Sequence, residues 1–238
     1  MVLEIRDLAV RTRKTLTPVS YSNLNMRMRA GQHLAIMGPT GIDLLTNVIC
    51  GANAPDSGTV RLSGNLSWPM PGAPFLHKHQ TFIANARFVA RLYEMNQRDF
   101  IDRVLDMAGI AAIADEQVSY CPKSAVSKFS FALAACLPFD IYLFTNTKVG
   151  DKDDGDKYQQ IIAELGRRSG ILVMTNSAKT AQALCDTAYV LEQTGAVYYD
   201  DMDAALEHLE RLTKNRAEEA ADAITSGYEE PVSDDFLI

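Results

Sequence analysis

The sequence predicts an α/β fold: a parallel core sheet, an N-terminal antiparallel β-subdomain and an inserted helical subdomain. Three observations predict it. Apolar runs without alternation stand at Leu34–Met37, Ile141–Phe144 and Ile171–Met174, as in parallel strands covered on both faces. The first of them runs into a glycine turn, Gly38 to Gly41, and then an apolar helix reaching Gly51. Upstream, Asn25-Met26-Arg27-Met28-Arg29 alternates polar and apolar with period two, the pattern of a half-covered antiparallel strand.

The elements follow in order. Val2–Ile5 and Leu8–Val10 read as two short strands, 25–29 as a third, and Ala30-Gly31-Gln32 as the turn before the buried strand 33–37. A helix over 42–50 is followed by the turn Ala54-Pro55-Asp56-Ser57-Gly58 and a strand, Thr59–Leu62. From Trp68 to Pro74, three prolines and a glycine enforce an irregular loop. Phe82, Ala86, Val89 and Tyr93 recur at helical spacing within 81–95, and Phe100, Val104, Leu105 and Ala108 within 98–114. Ser127 to Leu137 is small and apolar, a buried helix, so a helical subdomain spans about 75–135. Beyond the strand 140–144, the acidic loop Asp151–Asp156 opens a helix over 157–168. It is no calcium loop, because its twelfth position is Ile162 rather than Glu. Strand 170–174, a short helix 179–185, a hairpin around Gly195 and a helix over 203–224 complete one unit spanning 1–225. The end, 226–238, reads as a disordered acidic tail.

Composition bounds the function. The 238 residues are 47% hydrophobic and 22% charged, an ordinary globular make-up. A net charge of −7 opposes a nucleic-acid face, which needs clustered Lys and Arg. No apolar run approaches the roughly 20 residues of a transmembrane helix, and no secretory signal pattern opens the chain. Cys50, Cys121, Cys136 and Cys185 form no C-x-x-C pair, which fits reduced thiols in the cytoplasm.

The strand–turn–helix at 33–51 is the context of a phosphate-binding loop, where backbone N–H groups and a helix N-terminus cradle anionic oxygens. A working loop of that kind carries a Lys for the β/γ-phosphates and a hydroxyl for Mg²⁺. Here the candidate residues are Gly38, Pro39, Thr40, Gly41, Ile42 and Asp43, with no Lys in the loop or the helix after it. Asp43 places a carboxylate near the phosphate position.

The ordered pieces resemble the ATP-binding subunits of ABC transporters, specifically those exporting capsular and other surface polysaccharides in Gram-negative bacteria. The residues that carry the resemblance are Gly38-Pro39-Thr40-Gly41, Ala54-Pro55-Asp56-Ser57-Gly58, Leu66-Ser67-Trp68-Pro69 and Phe88-Val89-Ala90-Arg91-Leu92-Tyr93. Phe139-Asp140-Ile141-Tyr142, Val149-Gly150-Asp151 and Cys185-Asp186 extend it, over roughly 1–210. The Pro-Asp-Ser-Gly turn is common to most ABC ATPases; the Ser-Trp-Pro and Phe-Val-Ala-Arg-Leu-Tyr pair is narrower. The resemblance implies a P-loop, ABC ATPase-like fold and a membrane permease as partner.

Set against that family, the first loop reads two residues short, with the Lys position on Ile42 or Leu44. The loop Gln falls at His77, and the signature segment at Pro122-Lys123-Ser124-Ala125. The terminal Asp-Glu of the strand falls at Thr145-Asn146, and the switch His at Asn176. These departures predict a catalytically inactive, regulatory or scaffolding protein linked to polysaccharide export, with no catalytic residue, no metal, and neither ATP nor Mg²⁺ as cofactor. The alternative is a divergent ATP-binding subunit that hydrolyses ATP only with an intact partner. The predicted partners are an export permease, an active ATPase, a signalling protein or a second copy, with no nucleic acid. The predicted location is the cytoplasm, at the inner face of the inner membrane, with membrane contact only through a partner.

Several residues carry two readings. Gly150 and Asp151 match the loop that faces the opposite subunit, or form a plain acidic turn. Phe82, Phe88, Val89 and Tyr93 are core, or a groove for a permease helix, with Phe88 and Tyr93 at the interface. Lys123 is a solvated turn residue, or a phosphate cation approaching from another direction. His77 and His79 are an exposed loop pair, or two ligands lacking a third.

Overall fold

The computed structural model describes residues 1–12, 19–73, 75–145 and 155–226, with side chains of the last helix to 218. Two sheets organise it. A three-stranded antiparallel sheet has the order β2-β1-β4, built from β1 (Leu3–Arg11), β2 (Ser20–Met28) and β4 (Ser57–Leu62). The five-stranded sheet has the order β5-β6-β3-β7-β8, from β3 (His33–Met37), β5 (Ile141–Phe144), β6 (Gly170–Met174), β7 (Thr187–Glu192) and β8 (Gly195–Tyr199). Strands β5, β6, β3 and β7 are parallel, and β8 closes the edge as an antiparallel hairpin partner of β7. The predicted architecture, a parallel core with an antiparallel N-terminal sheet, is the one observed.

The apolar runs become strands because both faces are covered. All residues of β5 and β6 are buried, as are Leu34 to Met37 of β3. One face packs with the antiparallel sheet through Leu34, Ile36, Leu143 and Leu172. The other packs on the helices through Ala35, Met37, Phe144 and Val173.

The two short strands predicted before residue 11 are one strand, β1, interrupted by register shifts around Leu8. Asp7 takes a left-handed φ of 48°, and its N–H donates to Asn25 Oδ1 at 3.1 Å, so an Asn side chain replaces the broken ladder bond. Across from it, Gly58 at φ 82° lies where a Cβ would meet the Arg6 and Asp7 carbonyl oxygens at 2.5 and 2.4 Å. Only glycine fits there.

The helical layer holds α2 (Phe82–Leu92), α3 (Gln97–Ala108) and α4 (Lys123–Ala135). Thr81 and Asn96 cap α2 and α3 by accepting from the N–H groups of Ala84 and Asp99, and left-handed Gly109 ends α3. The helix predicted to run to 114 therefore stops at Ala108, and a 3-10 turn follows at 111–113. Helix α4 starts four residues earlier than its predicted start at Ser127, with Pro122 as its N-cap. Phe82 and Phe129 meet edge to face at 4.8 Å and tie α2 to α4. The irregular segment after β4 is held by bridges from Leu66 to Ile141 and Met70 to Phe144. The remaining helices are α1 (Ile42–Ile49), α5 (Gly155–Arg168), α6 (Ala178–Leu184) and α7 (Met202–Ser226). The predicted tail after Ser226 lies outside the described residues. Among the described residues, no helix is long and apolar enough to cross a membrane.

Candidate functional site

Open parallel sheets present ligands at the carboxyl ends of their strands, and the candidate residues gather there. Strand β3 lies between β6 and β7 and delivers the loop Gly38–Gly41 into α1. The pairing of Ile36 with Met174 sets Gly38 level with Asn176, just beyond β6. The pairing of Phe144 with Val173 brings Thr145 to the same edge. Three of the candidate positions thus share one rim.

The loop is tightly built. Gly41 adopts φ 74°, and a Cβ there would lie 2.5 Å from Val19 Cγ1 and 2.9 Å from Tyr21 Cε2. A Cβ on Gly38 would press on Leu191 at 3.1 Å and the Tyr21 hydroxyl at 3.2 Å. Tyr21, on β2, donates its hydroxyl to the Thr40 carbonyl. Burial raises the Tyr21 pKa, with the Thr40 bond and the Arg216 charge pulling it back, so the phenol stays a donor through the neutral range. From the opposite end of the chain, Arg216 on α7 donates Nη1–H to Thr40 Oγ1 at 2.8 Å. Thr40 is clamped through its carbonyl by one residue and through its hydroxyl by another.

Helix α1 then begins at Ile42 with no side-chain cap, and the Leu45 N–H bonds the Gly41 carbonyl at 3.2 Å. The amides of its first turn are the donors a phosphate group uses. Asp43 stands in that first turn, where it favours the helix dipole and opposes an anion. The donor chemistry therefore fits phosphate: first-turn amides, a threonine hydroxyl and a guanidinium. For a divalent ion the rim offers less. Thr145 is spent on Met70, donating from its hydroxyl at 3.4 Å and its N–H at 3.1 Å to that carbonyl. Among the described residues no group of three or more His, Cys, Asp or Glu gathers. Mg²⁺ keeps several waters and binds largely through the phosphates it accompanies.

The other candidates lie as follows. Asn176 is exposed beside Thr175 and Ser177, and the Ser177 N–H donates to Thr175 Oγ1 at 3.0 Å. His77 sits in a turn, pinned by buried Asn85, whose Oδ1 accepts its N–H at 2.8 Å and whose Nδ2 donates to its carbonyl at 3.2 Å. His79 lies 6.1 Å from it, ring to ring. Pro122, Lys123 and Ser124 open α4 at the exposed end of the helical layer. Asn146, Gly150 and Asp151 lie outside the described residues.

The proposed apolar face divides. Phe82 and Val89 are core, but Phe88 is 56% exposed and Tyr93 38%, because Phe88 lies six positions after Phe82 and so faces away from it. Tyr93 joins a cluster with Trp68, at 6.5 Å, and Phe139, at 5.7 Å.

Sequence reasoning missed Tyr21 and Arg216. Arg216 stands on the helix predicted over 203–224, 176 residues from the loop it serves. No spacing signals such a contact.

Comparison with known proteins gives the fold a context. No protein-family model matches the chain. It is 26% identical over 196 residues to the ATP-binding protein BexA of Haemophilus influenzae, covering 81% of this chain and 90% of that one. It is 28% identical over 194 residues to the polysialic acid transport ATP-binding protein KpsT of Escherichia coli, covering 78% and 88%. The capsule polysaccharide export ATP-binding protein CtrD of Neisseria meningitidis serogroup B is 25% identical over 194 residues, covering 80% and 89%. Among solved structures, an ATP-binding subunit of an ABC transporter superposes with a TM-score of 0.74, at 18% identity, over 88% of this chain and all of that one. A dimeric ATP-binding cassette in a post-hydrolysis state bound to ADP and Pi superposes at 0.66, with 16% identity, over 83% and 97%. The fold is that of the ABC ATPases.

Two expectations are overturned. The chain was expected to be no enzyme and to use neither ATP nor Mg²⁺, yet the relatives matched over about four-fifths of its length are named ATP-binding proteins. The physical reason for the error lies in the loop. The loop and the helix after it hold no Lys, but the strand–loop–helix frame is retained and Arg216 of α7 brings a cation to Thr40.

Proposed function

We propose that this chain is a divergent ATP-binding subunit of an ABC transporter that exports a surface polysaccharide, acting with a membrane permease and with a second ATP-binding subunit. The carrying observation is similarity spanning 78–81% of the chain to proteins named for ATP binding, among them polysialic acid transport and capsule polysaccharide export proteins. The phosphate-type donor set at the β3–α1 loop supports it at the residue level. Residues 1–225 form the ATPase-like unit in this reading, with the helices of about 75–135 as the subdomain that meets the permease.

The roles follow from chemistry. Thr40, the amides of Ile42, Asp43 and Leu44, and the frame of Gly38, Pro39 and Gly41 hold the phosphates. ATP hydrolysis needs a group to orient water and charge to stabilise the transferring phosphoryl. Thr145 provides no carboxylate, so a second subunit with intact residues supplies turnover in the pair. Phe88 and Tyr93 lie on the surface offered to the permease, which holds the subunit at the inner face of the membrane.

The test is reconstitution. The chain is co-expressed and co-purified with a polysaccharide-export permease and an ATP-binding subunit that carries the loop lysine, and MgATP-dependent phosphate release is measured in vesicles. Release that falls severalfold when this chain is omitted is expected. Release unchanged without it would refute the proposal.

A further inference from the structure

The loop that lacks a lysine has an arginine hydrogen-bonded to it. We propose that Arg216 is the phosphate-binding cation of this chain, delivered to the loop by α7 instead of by the loop itself. The inference rests on the reading of the chain as an ATP-binding subunit, and it names the residue that makes the loop competent.

Four observations carry it. Arg216 Nη1–H donates to Thr40 Oγ1 at 2.8 Å, across 176 residues of sequence, so the guanidinium is held at the loop. A guanidinium has five N–H donors, and among the described residues Thr40 is the one acceptor found for it. Among the described residues no carboxylate lies within ion-pair distance of Arg216, whereas Glu4, for example, has both Arg6 and Arg27. An Arg with no ion-pair partner among the described residues, held at the loop that leads into α1, leaves donors and positive charge available to an anion and offsets the Asp43 carboxylate of that first turn. Finally, α7 is anchored firmly enough to aim it. His208 is buried, hydrogen-bonded to the Tyr199 hydroxyl at 3.0 Å and facing Glu192 at 3.2 Å. Ala205 and Leu209 pack into the core on the same side of the helix.

The arrangement has a consequence for α7. Phosphate oxygens bridging the loop amides and Arg216 tie the C-terminal part of the helix to the loop, so nucleotide binding slows hydrogen exchange in α7 around residue 216.

The experiment uses the full chain and two probes, MgATP and inorganic tripolyphosphate, titrated by calorimetry against wild type, Arg216→Ala, Arg216→Lys and the control Lys214→Ala. Circular dichroism and melting curves establish that each variant is folded. Charge-assisted hydrogen bonds carry about 1.5–3 kcal/mol, so Arg216→Ala should weaken both probes by roughly 10- to 100-fold. Lys214→Ala should match wild type, and Arg216→Lys should fall between. Hydrogen exchange in α7 should slow with MgATP in wild type and not in Arg216→Ala.

Equal affinity of wild type and Arg216→Ala for MgATP overturns the role of Arg216 and leaves the ATP-binding reading intact. Tighter binding by Arg216→Ala overturns it too, by showing that the guanidinium occludes the loop. Failure of wild type to bind either probe overturns both.

Discussion

Tyr21 and Arg216 meet at Thr40, and the loop's geometry depends on them. Tyr21→Phe removes the donor to the Thr40 carbonyl while keeping the ring against Gly38 and Gly41. Loss of one such bond costs about 1 kcal/mol, read as a lower urea midpoint with unchanged slope. Gly41→Ala is harsher. It places a Cβ 2.5 Å from Val19 Cγ1 at a φ of 74°, so the strain and the clash together should cost about 2–3 kcal/mol. Nucleotide affinity should fall with it, because the amides of α1 take their direction from that residue. A Gly41→Ala protein with wild-type melting temperature and MgATP affinity would show that the loop is not set this way.

At the scale of elements, two predictions concern the helical layer. Phe129 of α4 is fully buried against Phe82 of α2. Truncation to Ala should cost about 3–5 kcal/mol in equilibrium unfolding; a loss below 1 kcal/mol would mean the layer repacks freely. The second concerns alkaline pH. Burial raises the Cys136 thiol from 9.0 to about 11, against smaller opposing pulls from Arg103 and Arg168. Folding therefore favours the neutral thiol. Its contribution is complete below pH 9 and is lost as pH rises through 11. Melting temperature should decline over that interval, less steeply in Cys136→Ala. Buried Cys185 is shifted upward more strongly, again by burial first, and the exposed Cys50 should be modified before either by a thiol reagent in the native protein.

These elements also mark how far the sequence could be read. Runs such as Ile141–Phe144 announced parallel strands because no polar residue interrupts them. The helix spacing of Phe82, Ala86 and Val89 announced α2, since each of those residues is buried. Boundaries slipped where a side chain or backbone turn decides them: Asn25 bridging the irregularity in β1, and left-handed Gly109 ending α3. The site was legible as a loop between β3 and α1 and as residues on one rim, because parallel register aligns strand ends. Its electrostatics were not. The charge at the loop comes from α7 through a tertiary contact, and counting residues near Gly38 could not reveal it.

At the scale of the whole molecule, the two-sheet core, the helical layer and the loop at the strand ends form the frame of an ABC ATPase, and its relatives are named for ATP binding. The central claim is that this frame holds nucleotide despite lacking a loop lysine. Equilibrium titration of MgATP into the purified full-length chain tests it most directly, with MgGTP and AMP as comparisons. The account predicts saturable binding of one MgATP per chain, with AMP at least tenfold weaker because it lacks the β- and γ-phosphates that the loop amides and Arg216 would hold. No saturable binding at millimolar MgATP, or equal binding of AMP, would contradict it.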